Sequence, residues 1–417
     1  MKSASSVALL SILAAISNAQ DIRFEILPGI YPLDMSTDGS VIVGNDVRFD
    51  PVRWTRGTGV ESLGRGTSVL GVGAGTPDVS DDGSKISATI ITADGTLATQ
   101  GLWTEEAGWV DLMPPTPADG GVIDLALGSA WGLSGDGSSV VGLYWRPGNF
   151  DTGGAHASIA SAPGAVMDLG SSGGNSRANH VNYDGTVVVG WDERFDGVWQ
   201  PTVWENGVLT RLSAQEGFTT ADYVNPDGTI IGGNTYRPIF DYVQATLWHK
   251  NGNSWDEQIL GVLPGTVGPR GLATVRSMTP DGSKVVGFNV FNPTSPATGF
   301  IWTAEDGMID VKDFLDDQGI DVPSDMIILD LTAISDDGTI MAGIAVSALD
   351  GISPIGFRIS PACIADFNND FELDFFDISE FIGAYGDSIP EADINDDGQF
   401  DFFDISAYLT AYANGCP

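Results

Sequence analysis

The stretch VNYDGTVVVG, residues 181–190, joins an Asp-Gly pair to a run of valines and a closing glycine. It recurs as MSTDGSVIVG (35–44), VSDDGSKISA (79–88), LSGDGSSVVG (133–142), VNPDGTIIGG (224–233), MTPDGSKVVG (278–287) and ISDDGTIMAG (334–343). Asp-Gly suits a tight hairpin, because glycine enters the left-handed backbone region at no steric cost. The β-branched run that follows is apolar without alternating, the pattern of a strand covered on both faces. The seven aspartates (Asp38, Asp82, Asp136, Asp184, Asp227, Asp281 and Asp337) stand 43 to 56 residues apart. That is the period of propeller blades and not of helical solenoids.

Each copy continues into a third strand that ends on Trp54, Trp103, Trp204, Trp248 or Trp302, with Ile159 in the third copy and Phe357 in the seventh. A fourth strand follows, as in GVESLG, GWVDLM, GVLTRL and GMIDV. The seventh repeat runs out after its third strand, at IGFRIS, while IRFEIL (22–27) stands unpaired ahead of the first. If IRFEIL supplies the missing strand, the ring closes and leaves no exposed sheet edge. The expected fold is therefore all-β, a seven-bladed β-propeller over residues 20–360, followed by a small α-helical module over 361–417. A pair of sandwiches or an open solenoid would leave both end segments unexplained.

Formal charge is −38, from 56 carboxylates against 18 Lys plus Arg. Such a chain lacks the basic footprint that nucleic acid or an anionic membrane requires. Residues 1–19 combine Lys2, an apolar run and Ser17-Asn18-Ala19, the pattern of a cleaved export signal. No later stretch approaches the ~20 apolar residues of a membrane span. The expectation is a secreted, extracellular protein associated with the cell surface. Its two cysteines, Cys363 and Cys416, bracket the C-terminal segment, which in an exported chain favours a disulfide.

The Asp-Gly repeat with its downstream aromatic strand resembles the HAF family of extracellular repeats, over residues 22 to about 360. That resemblance implies an extracellular location and no agreed catalytic machinery.

The C-terminal segment carries one cassette twice, DFNNDFELDFFDISEFIGAY (366–385) and DINDDGQFDFFDISAYLTAY (393–412), identical at 11 of 20 positions. Asp366, Asn368, Asp370, Asp374 and Asp377 fall at loop positions 1, 3, 5, 9 and 12, with Glu372 at position 7 offering its carbonyl. Asp393, Asn395, Asp397, Gln399, Asp401 and Asp404 repeat the set. These are the offsets from which EF-hand-like loops direct oxygens at calcium, so two Ca2+ ions are expected. Phe371 occupies position 6, where Gly398 serves the sharp turn of the second loop, and the second site is expected to bind more tightly. After each loop the pattern turns helical, with Ile378, Phe381, Ile382 and Tyr385 on one face, matched by Ile405, Tyr408, Leu409 and Tyr412. Phe375 and Phe402 fall near that face, whereas Phe376 and Phe403 point away from it. The pair of cassettes is similar to a dockerin, the closing NGCP to the GC-type group. The resemblance implies a cohesin-like partner, contacted through Phe376 and Phe403.

Arg48, Arg146, Arg194 and Arg237 each follow the last glycine of a second strand by four residues, and each precedes a Phe-Asp pair. Two readings are open. Each arginine ties its loop to itself or to its neighbour through an aspartate, or together with the aromatic groups they hold an anionic sugar or carboxylated ligand. His156, His180 and His249 show no metal spacing, and no nucleophile motif occurs. A ligand-binding propeller, with acidic polysaccharide as candidate ligand, stands against a polysaccharide-cleaving enzyme, glycosidase or lyase. Carboxylates with raised pKa converging on a central channel would favour the enzyme, and an even acidic coat the binding protein.

Overall fold

The computed structural model describes residues 22–71, 75–113, 126–145, 154–213, 217, 219–238, 241–268, 271–292, 294–320, 322–347, 354–395 and 397–416. The export signal expected over 1–19 lies outside them. Strands dominate up to Pro361 and three α-helices are described: α1 (Val311–Asp317), α2 (Phe375–Gly386) and α3 (Phe402–Asn414). The strands form antiparallel four-stranded meanders in chain order. Five are separate sheets, and the meanders beginning at Ala221 and Leu272 merge into one eight-stranded sheet through a single parallel pair, Val243 with Leu272. The last sheet is completed by Ile22–Leu27, which pairs antiparallel with Pro354–Pro361 from Ile22↔Pro361 to Leu27↔Gly356.

The Asp-Gly pair makes the turn between the first and second strands of each meander. Asp38 Oδ1 accepts from Ser36 Oγ at 2.8 Å and from the Ser40 amide at 2.9 Å, and Gly39 takes φ +69°. The other copies repeat this, as at Asp82, Asp136 and Asp337. Neighbouring hairpins are then linked backbone to backbone. Asp336 N donates to Thr37 O, Thr37 N to Asp81 O, and Asp81 N to Gly135 O, while Asp136 N reaches Tyr183 O and Tyr183 N reaches Pro226 O. Asn225 Nδ2 bonds Pro280 O at 2.8 Å. The seventh hairpin is thus bonded to the first.

The motif's last glycine has a separate reason. A Cβ on Gly44, Gly142, Gly190, Gly287 or Gly343 would fall 1.9–2.1 Å from a carbonyl oxygen of the first strand of its sheet. At that level the first strand carries an extra residue. Its register skips between Pro32 and Asp34, Ala130 and Gly132, Ala178 and His180, Ala221 and Tyr223, Val275 and Ser277, and Leu331 and Ala333. Such bulges re-aim side chains, because the extra residue and its neighbour lose strict alternation. Apolar clusters fill the space between successive sheets: Val188 and Trp204 pack with Val141 and Ala157, and Val285 and Phe300 with Leu247 and Val275.

After Pro361 the chain forms α2 and α3, whose core stacks Phe381 on Tyr408 at 3.9 Å. The expected disulfide is present, Cys363–Cys416, with Cα atoms 5.3 Å apart. It ties the two ends of the helical segment together.

Candidate functional site

The residue inserted by each bulge lies two positions ahead of the repeated motif. Those residues are Leu33, Trp131, Asn179, Asp222, Arg276 and Thr332, and all line one cavity of about 210 Å3 enclosed by the first strands. Asp34, Asp78, His180, Tyr223 and Ser277, one position further on, form its floor and also line a smaller space of about 50 Å3 on the hairpin side. The larger cavity lies toward the ends of the strands that carry the second-to-third-strand loops.

Two arginines dominate its chemistry. The Arg177 guanidinium lies 3.6 Å over the Trp131 ring, and its Nε donates to Asn179 Oδ1 at 2.7 Å. No carboxylate among the described residues is within ion-pair distance of it. Asp222, the nearest acid to act on it, is fully engaged, accepting from Asn179 Nδ2, Thr220 Oγ1 and Thr274 Oγ1 at 2.8–2.9 Å. Burial lowers the Arg177 pKa to about 10; Asp222 opposes the shift and the nearby Arg276 adds to it. Arg276 Nε bonds Asp330 Oδ2 at 3.0 Å, leaving Asp330 Oδ1 buried without a hydrogen-bond partner.

Acids gather on the opposite side. Asp34 and Asp78 hydrogen-bond each other, and burial pushes both upward, Asp78 further because Asp34 lies beside it. Two carboxylates in contact resist joint ionisation, which favours the neutral form of each. Val224 N donates to His180 Nδ1 at 3.3 Å, so the ring proton sits on Nε2, 3.9 Å from Asp78 Oδ2. Burial holds His180 at about 4, and it stays neutral.

Toward the hairpin side, burial and then Asp336 raise Asp81 to about 6. The folded state thus holds this proton more tightly than the unfolded chain, and the associated stability, present below the ordinary carboxyl value, is lost as pH rises through 6. Asp81→Asn should therefore melt with wild type near pH 4 and exceed it by about 1 kcal/mol near pH 8, after discounting for solvent screening. Denaturant titrations at the two pH values check this, and equal differences at both would remove Asp81 as the cause.

The loop arginines sit apart from this cavity's lining. Arg48 is 70% exposed and reaches Asp46 at 3.4 Å and Asp50 at 3.7 Å. Arg194 pairs with Asp196 at 2.8 Å and Arg237 with Glu257 at 2.7 Å. Arg146 lies outside the described residues. Phe49 and Phe195 are exposed at the loop tips.

The two acidic cassettes fold alike. Asp366 accepts from the Asp370 and Phe371 amides at 3.1 and 3.0 Å, and Asp393 accepts from those of Asp397 and Gly398 at 3.1 and 2.7 Å. Asn368 and Asn395 accept from the same Asp370 and Asp397 amides, and Asp370 and Asp397 accept from those of Glu372 and Gln399. Asp374 and Asp401 cap α2 and α3 in reciprocal boxes with Asp377 and Asp404, both fully buried. Carboxylate oxygens of Asp366, Asp370 and Asp377 come within 4.8 Å of one another and could hold an ion. Phe371 adopts φ +68°, the same turn that Gly398 makes at +75°. Arg23, from the strand that completes the last sheet, binds the Asp366 carboxylate and donates to Cys363 O at 3.0 Å, while Arg56 donates to Phe371 O at 3.0 Å. Phe376 and Phe403 are exposed. Phe375 and Phe402 prove equally exposed, at 72% and 71%, and Ile382 and Leu409 also face outward, because the two-helix core is filled by Phe381, Tyr385, Tyr408 and Tyr412.

The fold is mostly β and propeller-like. No family model matches the sequence, and no curated protein matches it. Solved structures similar to it include an oligogalacturonate lyase from Vibrio parahaemolyticus, at 12% identity over 82% of this chain and 91% of that one, with a TM-score of 0.48. U3-55K is 13% identical over 82% of this chain and 99% of its own, with a TM-score of 0.47. TolB from Acinetobacter baumannii is 15% identical over 67% of this chain, which spans 62% of the TolB length, with a TM-score of 0.38. No residue correspondence follows from likenesses of this degree. No helix among the described residues is long and apolar enough to cross a membrane.

Proposed function

We propose that the protein is an exported seven-bladed β-propeller that binds an extracellular glycan in its central cavity and is anchored through a calcium-loaded, dockerin-like module. The observation that carries the binding reading is the cavity itself. The first strands bring hydroxyl, amide, carboxylate and guanidinium groups together in one concave space, the mix that recognises a polyhydroxylated ligand. The seven meanders are its blades, and Ile22–Leu27 supplies the strand that closes the ring. The HAF resemblance supports the extracellular setting. The disulfide and the absence of a membrane-spanning helix among the described residues are compatible with it.

The anchoring reading rests on the duplicated loops and on the exposed Phe375, Phe376, Phe402 and Phe403. Apolar surface of this kind on a small acidic unit suits a protein partner, and a cohesin-like domain is the partner the resemblance implies. The converging carboxylates of the first loop suit a cation: Asp366, Asn368, Asp370, Asp374 and Asp377 would hold one calcium ion, with Glu372 through its carbonyl and Asp366 exchanging Arg23 for the ion. Asp393, Asn395, Asp397, Asp401 and Asp404, with Gln399, would hold the other. Calcium would neutralise the loops and order the helices.

A second reading, glycan cleavage, is favoured by the paired carboxyls of Asp34 and Asp78 at the cavity floor, both raised by burial. A glycan array probed with wild type and with Leu33→Trp, which fills the cavity, tests the first. Binding should be lost in the variant while its melting temperature holds, and identical array profiles would move the ligand away from the cavity. New reducing ends in the bound glycan, absent with Asp78→Asn, would assign cleavage.

A further inference from the structure

Arg177 poses a problem that its own surroundings do not solve. It is a guanidinium set inside the cavity, held by the Trp131 face and by a single bond from Nε to Asn179, with no ion-paired carboxylate among the described residues. Arg276 lines the same cavity, fixed by Asp330 through Nε and by the Phe288 ring at 4.7 Å. Both side chains are thus anchored through ring faces and Nε, which leaves terminal N–H groups for whatever enters. Two cations in one half-closed space repel each other, and acids that could have quenched Arg177 are committed elsewhere: Asp222 to Asn179, Thr220 and Thr274, and Asp330 to Arg276.

We propose that the cavity takes the carboxylate of an acidic sugar between Arg177 and Arg276, making the propeller a receptor for uronic acid residues; this rests on the central-cavity glycan reading above. A carboxylate matches the planar fork of a guanidinium with two parallel hydrogen bonds, and it relieves the repulsion between the two cations. A monoanion also suits the site better than a phosphate dianion, because Asp34, Asp78, Asp222 and Asp330 share the lining. Asp330 Oδ1, buried without a hydrogen-bond partner, is placed to take up a sugar hydroxyl. The loop arginines, each paired with a neighbouring carboxylate where described, are not required for this recognition.

The test is calorimetry on the full chain with short oligomers of galacturonic, glucuronic and mannuronic acid, each beside its carboxyl-reduced counterpart and a sulfated neutral oligosaccharide. Wild type should prefer at least one uronate over its reduced form by about ten- to hundredfold, the range expected of hydrogen bonds to a charged group. Arg177→Gln should erase that preference, and Arg177→Lys should keep part of it. If Arg177→Gln does not fold, Arg276→Gln gives the same readout from a more exposed side chain. Equal binding of acid and reduced forms by wild type overturns the carboxylate inference and leaves the glycan reading standing, as does preference for the sulfated oligosaccharide. Binding of none of these sugars removes both.

Discussion

A chain lacking residues 22–27 should be less stable than the full-length protein by about 5 kcal/mol or more, and should self-associate on warming. The six lost residues pair along their whole length with Pro354–Pro361. Phe24 stacks on Phe357 at 5.0 Å, and Leu27, 1% exposed, belongs to the core cluster with Trp54 and Ile340. The larger effect is electrostatic. Glu25 Oε2 stands 3.7 Å from Arg358, itself 1% exposed, and 3.2 Å from Arg56. Removing Glu25 strands a buried guanidinium whose Nε already lacks a hydrogen-bond partner, and leaving such a charge unpaired costs about 3–5 kcal/mol. The stripped sheet would also offer an open edge to another copy. Thermal unfolding with light scattering checks this, and Glu25→Ala separates the charge from the strand. A truncated chain that melts with wild type would refute closure of the ring through this segment.

Calcium removal should have the second large effect, confined to the C-terminal segment. With chelator, the amides of α2, α3 and their loops should lose at least tenfold in hydrogen-exchange protection, while the seven hairpins keep theirs. The reason is the density of acid: between residues 366 and 404 there are 13 carboxylates and no Lys or Arg. Asp377 and Asp404, fully buried, then have only backbone amides to stabilise their charge. The disulfide would keep the segment tethered, so the loss should appear as local opening and not as release. Asp366→Ala and Asp393→Ala, titrated with calcium, report the two loops separately. Protection unchanged by chelator would mean that the loops are stable without an ion.

The hairpin repeat was legible because its requirements are local. Asp at one position, Gly at the next and a β-branched run after them define a turn and a covered strand without reference to the rest of the chain. The completing strand IRFEIL was legible by subtraction, as the segment left over at one end where a strand was missing at the other. The cavity was not read, although its pattern is present: two positions before each motif stand Leu33, Pro77, Trp131, Asn179, Asp222, Arg276 and Thr332, mostly polar or bulky residues inside an otherwise small and apolar strand. Strict alternation assigns only one of two adjacent residues to the axis, and the bulge that turns both inward shows only as the paired glycine on the neighbouring strand. Contacts such as Arg23 with Asp366 were beyond reach, since nothing local distinguishes that arginine. Phe375 and Phe402 were misplaced because helical periodicity ranks faces within a helix but does not say how much of the first turn a partner helix covers.

The pairing of Ile22–Leu27 with Pro354–Pro361 also sets the order in which the chain can finish folding. Arg23 and its partner in register, Ser360, stand more than three quarters of the chain apart. A strand made early therefore waits for a partner made much later. Closing so long a loop adds only slowly to the entropic cost, which grows with the logarithm of length. The search for the partner is the slower matter, since non-local pairings limit folding rates. Each earlier meander can collapse on its own hairpin as it emerges, whereas this strand and the edge it covers remain available to other chains until the end. Formation of this pairing is then the step at which crowding and chain concentration decide between the folded chain and an aggregate.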